Sequence, residues 1–134
     1  MSCIFCDIVS GEAESFVVAG DERAVAFLDI NPFANGHTLV VPTRHVTDLL
    51  DGGADVLADI APVLHEAAQL LVDRLGADGI NVFQSSGAAA GQEVFHLHMH
   101  LLPRWRGDGL LQNLVGTPSA VDDLERLHHR ITAR

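Results

Sequence analysis

The sequence predicts an α+β domain: a five-stranded antiparallel sheet with one long covering helix and a short C-terminal helix. Three observations predict it. Short apolar, β-branched runs are punctuated by turn-forming Gly, Asn, Asp and Pro, one long stretch has helical apolar spacing, and His96, His98 and His100 alternate with Leu97, Met99 and Leu101.

Taken in order, Ile4-Phe5-Cys6-Asp7-Ile8-Val9 fits a strand or a single helical turn equally well. Phe16–Ala19 and Ala24–Asp29 read as a hairpin turning through Gly20-Asp21-Glu22. The turn formers of 31–36 lead into a third strand, Thr38–Pro42. Between Asp55 and Leu75 the residues Leu57, Ile60, Ala61, Leu64, Ala67, Ala68, Leu71 and Leu75 recur at three-and-four spacing, which predicts one amphipathic helix. Pro62 predicts a kink there, or a helix whose regular part starts near Ala61, because proline lacks the amide hydrogen and clashes with the preceding turn. Gly76 and Gly79 end this helix and lead to a fourth strand, Ile80–Gln84, and the histidine run makes the fifth. Ser119 followed by Asp122 resembles a helix start, with Val121, Leu124 and Leu127 as the apolar stripe.

The 134 residues, 48% of them apolar, fit a single domain over 1–134, with a core at about 3–106 and an irregular tail plus helix at 107–134. A net charge of -10 with eight Lys plus Arg argues against a nucleic-acid partner, since backbone binding needs dense positive charge. The first residues lack a basic segment followed by an apolar one, and no run approaches the ~20 apolar residues a membrane span needs. The expected setting is the cytoplasm, with no membrane partner. There Cys3 and Cys6 are expected to stay reduced and not to form a stable disulfide, and their spacing also chelates metal.

Three imidazoles on one strand face point to nucleophile and proton chemistry or to a metal site. A catalytic zinc held by all three fits poorly, since the outer two would sit about 13 Å apart along an extended strand. Cys3, Cys6, His45 and one strand histidine would instead make a closed Cys2His2 set of the kind structural zinc prefers. The loop 86–93 is rich in small residues whose amides can bind phosphate oxygens, although it lacks the Lys-Ser/Thr of a P-loop. His65, His128 and His129 read as solvated helix residues, and Trp105 as an interface or substrate contact.

The alternating histidines, preceded by Gly91-Gln92-Glu93-Val94-Phe95 and followed by Pro103-Arg104, resemble the histidine triad (HIT) superfamily of nucleotide hydrolases and transferases, particularly its bacterial nucleotide-binding branch. Cys3–Glu12, Phe27–Pro32 and Gly36–His45 look like the other recurring segments of that family, in order and at similar spacing. The resemblance implies a HIT fold and a homodimer whose strands join into a ten-stranded sheet. It implies that His98 attacks the α-phosphorus of a purine nucleotide, forming a nucleotidyl-histidine, that His100 binds the phosphate oxygens and that His37 is a supporting fourth histidine near the nucleophile. Asp29 would hold the ribose hydroxyls and Phe5, Ile8, Phe27, Leu28 and Ile30 the base, with Ser85, Gln92 and Glu93 completing the nucleotide site. Cys3, Cys6, His45 and His96 would ligate a structural zinc, with no catalytic cofactor. Ser85 stands where relatives usually carry Asn or Gln, and Gln92 could supply the missing amide. The expected substrate is a purine mononucleotide conjugate, a phosphoramidate or a dinucleoside polyphosphate. The competing reading is a nucleotide-binding regulatory or interaction protein with little catalysis. A purely structural zinc module would leave His98, His100 and Asp29 without a role.

Overall fold

The segment after Cys3, open between strand and helical turn in the sequence, is helix α1 (Ile4–Ser10) in the computed structural model, which describes residues 2–111 and 116–133. Cys3 caps it by accepting the Cys6 amide at Sγ, and Gly11 ends it in the left-handed conformation. The hairpin pairs β1 (Val17–Gly20) with β2 (Ala24–Leu28). Its turn is pinned by Asp21 Oδ1, which accepts from the amides of Arg23 (2.7 Å) and Ala24 (2.9 Å).

Strand β3 (Thr38–Pro42) is buried at all five positions because both sheet faces are covered. Ala24, Ala26 and Val40 face the long helix α2 (Leu49–Leu75), while Phe27, Leu39 and Val41 form a second core with Phe5 of α1. With β4 (Gly79–Phe83) and β5 (Met99–Arg104) the antiparallel sheet runs β1-β2-β3-β5-β4, so β1 and β4 are its edges. The α+β architecture of five antiparallel strands and one long covering helix is as the sequence predicts.

Helix α2 departs from expectation in three ways. It begins at Leu49, capped by Asp48 Oδ1 on the Leu50 amide at 2.9 Å, ahead of the expected Asp55. Its break is at Gly53 (φ 67°, ψ -172°) and not at Pro62, which keeps helical geometry on the exposed face, where the carbonyl deprived of its partner meets water. Its buried stripe is Val56, Ile60, Val63, Ala67 and Leu71, whereas Leu57, Ala61 and Leu75 are exposed. Val56 and Val63 take the places the spacing had given to the exposed Leu57 and Ala61.

The histidine run also corrects the sequence reading. Strand β5 starts only at Met99; His96 and His98 precede it in an extended segment tied down by the Leu97 amide donating to the Val46 carbonyl (2.8 Å). Alternation survives without the ladder: Leu97 and Leu101 pack under α2 while His98 and His100 face the opposite side. At the far end Arg104 pairs bidentately with Asp108 and donates to Asn81 Oδ1 and the Leu110 carbonyl. Trp105 Nε1 donates to the Gly76 carbonyl at 3.1 Å, so it closes the end of α2. The C-terminal helix α3 (Val121–Thr132) has Ala120 at its N-cap and no side-chain cap; Ser119 lies one residue too early. His65, His128 and His129 are exposed.

Gly36, at φ 88°, turns the chain into β3 just before His37, and a Cβ there would stand 2.6 Å from Leu75 Cδ1 and 3.2 Å from Pro103 Cγ. Gly36→Ala is expected to cost about 2 kcal/mol or more in urea unfolding, combining backbone strain with crowding. An unchanged midpoint would show that this turn relaxes freely.

Candidate active site

A cleft of about 930 Å³ opens on the sheet face opposite α2. Phe5 and Ile8 of α1, Phe27 and Leu28 of β2, and Ile30 wall one side of it. Asp29, Ser85, Glu93, His98 and His100 also line it, so ten of the residues expected to bind nucleotide or catalyse share one cavity. His37 lies directly behind His100, 1% exposed.

Backbone groups fix the proton on each ring. His98 Nδ1 is 2.7 Å from the His96 carbonyl, which can only accept, so Nδ1 carries the hydrogen and Nε2 keeps its lone pair. The Phe33 amide donates to His37 Nδ1 (3.1 Å), which leaves the hydrogen on His37 Nε2, and that hydrogen donates to His100 Nδ1 at 2.9 Å. Neutral His100 then carries its own hydrogen on Nε2. Burial, and after it the nearby His98 and His37, lowers the pKa of His100 to about 4 against the pull of Asp29. Burial likewise lowers His37, so both rings are neutral near pH 7 and the relay of single donors holds.

Asp29 fixes its turn through Oδ1, which accepts from the Asn31 amide at 2.8 Å, and sets Oδ2 3.7 Å from His37 Nε2. Asp29, His37 and His100 bring possible ligand atoms within 4.8 Å of one another. They suit a metal badly, because His37 Nε2 bears a hydrogen that the Phe33 amide prevents from moving to Nδ1.

The cluster of Cys3, Cys6, His45 and His96 is different. His96 Nε2 donates to the Pro42 carbonyl at 2.9 Å, which turns the Nδ1 lone pair toward Cys3 Sγ (3.4 Å), Cys6 Sγ (3.5 Å) and His45 Nδ1 (3.1 Å). Cys6 Sγ is 3.4 Å from His45 Nδ1. Around a tetrahedral zinc with Zn–S of about 2.3 Å and Zn–N of about 2.0 Å, ligand atoms stand roughly 3.3–3.7 Å apart, close to these spacings. The four residues could therefore hold a metal ion. Burial also lowers the His96 pKa, which favours the neutral ligand form.

Gln92 does not reach the cleft. It is 4% exposed, its Oε1 accepts from the Gly87 amide (2.8 Å), and its Nε2 donates to the carbonyls of Thr47 (2.7 Å) and Val94 (3.1 Å). The amide expected to replace the missing side chain at 85 instead braces the loop. Four loop amides, those of Gly87, Ala90, Gly91 and Gln92, are likewise satisfied within the loop, which limits it as an anion nest. Sequence reasoning missed two aromatic supports. Phe83, the cross-strand neighbour of His100, stacks on its ring (4.4 Å, 8°), and Phe33 stacks on His37 (5.1 Å, 28°). The β4 pattern could have placed Phe83; nothing in the turn around Phe33 marks its role.

The HIT domain family matches residues 10–107. An uncharacterized HIT-like protein of Methanocaldococcus jannaschii is 45% identical over 107 residues, 80% of this chain and 82% of that protein. The crystal structure of a histidine triad nucleotide-binding protein from Candida albicans superposes with a TM-score of 0.84 at 36% identity, covering 97% of this chain and 94% of that one. A Zn-bound histidine triad family protein from Mycobacterium smegmatis superposes with a TM-score of 0.78 at 38% identity, covering 97% and 98%.

Two outcomes follow from this geometry. Since His100 has a folded pKa of about 4 against an ordinary 6.5, the unfolded chain takes up a proton that the folded chain refuses as pH falls between these values. Stability should drop across that window and level off below it, and urea midpoints from pH 7 to 4 should slope less steeply for His100→Gln than for wild type. Cys3→Ala should lower metal content and stability together, and chelation of wild type should speed hydrogen exchange at the amides of Ile4–Ser10, because Cys3 and Cys6 anchor α1.

Proposed function

The chain belongs to the HIT family, and from that premise we propose that it is a hydrolase or transferase acting at the α-phosphorus of a purine nucleotide conjugate through a nucleotidyl-histidine on His98. The observation that carries the reading is the His98 ring, locked by the His96 carbonyl so that a free lone pair faces the same cleft as Asp29. Nucleotide enters the reading through the Candida albicans relative, a histidine triad nucleotide-binding protein by name.

In the proposed cycle, the base lies against Phe5, Ile8, Phe27, Leu28 and Ile30, and the Asp29 carboxylate accepts from the ribose hydroxyls. His98 Nε2 attacks phosphorus as the bond to the leaving amine breaks, and the amine takes a proton from solvent as it departs. The His100 Nε2 hydrogen, set by the relay from Phe33 and His37, donates to a non-bridging oxygen as charge builds there. Water then attacks the same phosphorus as the bond to His98 Nε2 breaks, its proton passing to solvent, which releases the mononucleotide and restores His98. Ser85 offers a short hydroxyl to the phosphate in place of an amide.

Electrostatics favours one of the two substrate classes. Among the described residues lining the cleft there is no Lys or Arg, while Glu14, Asp29 and Glu93 contribute carboxylates. A polyphosphate would bring several negative charges to this surface; a phosphoramidate brings one, with an amine leaving group that carboxylates tolerate. The preferred substrate is thus a nucleoside phosphoramidate.

The metal reading extends to a structural zinc in the Cys3, Cys6, His45 and His96 cluster, in line with the Zn-bound Mycobacterium smegmatis relative. Bound there it would tie α1 to the segment carrying His98 and take no part in the chemistry. Reduced ligand thiols fit a cytoplasmic setting. Among the described residues no helix is long and apolar enough to cross a membrane. The β4 edge is open for the homodimer pairing that the family resemblance implies.

His98→Asn should reduce kcat on an adenosine phosphoramidate by at least about a hundredfold, or ~2.7 kcal/mol, while AMP affinity changes by less than about threefold. Trapping with a labelled adenylate donor should mark His98 in peptide mass spectrometry. A variant keeping a tenth of wild-type kcat would rule out His98 as nucleophile, and wild-type protein that binds AMP without turnover would favour the regulatory alternative.

A further inference from the structure

Besides Asp29, the end of the cleft assigned to the base carries one charged side chain that the catalytic cycle leaves unused, Glu14. Two backbone bonds fix where it stands. The Ala13 amide donates to the Asp7 carbonyl of α1 at 3.0 Å, and the Phe16 carbonyl accepts from the Leu28 amide of β2 at 3.0 Å. The stretch between them therefore bridges α1 and β2 where Ile8 and Leu28 line the cleft. His98 and His100 lie on the β5 segment, and β3 runs between β2 and β5, so roughly 10 Å of sheet separates the two ends. Glu14 borders the base and not the phosphorus.

The other groups at that end distinguish bases poorly. Ile4, Ile8, Phe16, Leu28 and Ile30 are apolar, while the side chains of Ser15 and Asn31 both donate and accept. A carboxylate only accepts. The chain has no lysine, and among the described residues the arginine ion pairs go to Asp59, Asp108 and Asp123, so no cation there neutralises Glu14.

We propose that Glu14 selects the base, and that this chain takes guanine nucleotides in preference to adenine nucleotides. The inference rests on the nucleotide reading above and adds the base to it. Guanine presents its N1 hydrogen and its N2 amine side by side, two donors matched to the two oxygens of one carboxylate, as an arginine fork is. Adenine offers one amine beside a ring lone pair, so a carboxylate at that edge gains one bond and meets one repulsion. Hypoxanthine stands between them, keeping the N1 hydrogen without the amine. Glu14 is exposed, and water competes for its oxygens, which keeps the expected preference near the low end for a bidentate base contact.

Titration calorimetry of the full chain with GMP, IMP and AMP isolates the base, because the three share ribose and phosphate. Wild type should bind GMP at least about fivefold tighter than AMP, with IMP between them. Glu14→Ala should bring the GMP and AMP constants within about twofold of each other. Glu14→Gln should favour AMP over GMP, since an amide offers adenine both a donor for its ring nitrogen and an acceptor for its amine. A merely structural Glu14 would give no such inversion. Equal wild-type affinities, a wild-type preference for AMP, or a preference for GMP that survives in either variant would overturn the proposal and leave the nucleotide reading standing. A wild-type chain that binds none of the three would overturn that reading and this proposal together.

Discussion

One backbone carbonyl, that of His96, is the point on which the site turns. It takes the Nδ1 hydrogen of His98 at 2.7 Å and thereby leaves Nε2 as the lone pair. The side chain of the same residue faces the opposite way, with Nε2 on the Pro42 carbonyl and Nδ1 toward two thiols and a second imidazole. Any force that holds the His96 ring therefore also holds the carbonyl that aims His98. The metal-type cluster and the cleft are two faces of one residue, and Phe5, 5.1 Å from the His98 ring and 5.9 Å from the His96 ring, packs across both.

The sheet makes this possible by keeping its two faces distinct. The side under α2 is apolar apart from Thr38, whose hydroxyl donates to the Gly36 carbonyl, with small Ala24 and Ala26 letting the helix approach and Leu97 continuing the same surface beyond the ladder. The other side mixes aromatic rings with imidazoles, and burial there keeps His37 and His100 neutral. A protonated His100 could not accept from His37, so the apolar surroundings, and not any one hydrogen bond, make the relay single-directional. The rings of Phe83 and Phe33 supply that apolar contact while restricting how the two imidazoles can tilt.

Period-two and three-and-four patterns carried most of this architecture, because burial on a strand or helix leaves a direct mark on residue order. The exceptions are places where the pattern has no mark to leave. Pro62 was an apparent helix breaker, but its cost depends on whether the freed carbonyl meets water, which only the fold decides. Leu57 fits the helical spacing as well as Val56 does; three-and-four spacing tolerates a shift of one, and packing against Ala24 and Ala26 chooses between them. Gln92 illustrates the same limit at the site. An amide in a loop near a phosphate position looks like a ligand in sequence, yet three backbone partners within 3.1 Å already satisfy it. Tautomers, too, lie beyond sequence, since they depend on the amide of Phe33 and the carbonyls of Pro42 and His96.

The late start of β5 resolves an apparent conflict in the histidine run. In an antiparallel ladder the backbone groups on one side of each residue are taken by the neighbouring strand, and a carbonyl so engaged makes a poor additional acceptor. Because the ladder begins at Met99, the His96 carbonyl is free to accept from a side chain two residues later, a local geometry that extended backbone allows. His100, one step inside the strand, gives up that freedom and takes its orientation from a cross-strand ring and from His37 instead. Three histidines at identical spacing thus have three different fates: a ring turned to the thiols, a ring with its lone pair free, and a ring held as a donor. What separates them is where regular hydrogen bonding starts, not the residues themselves.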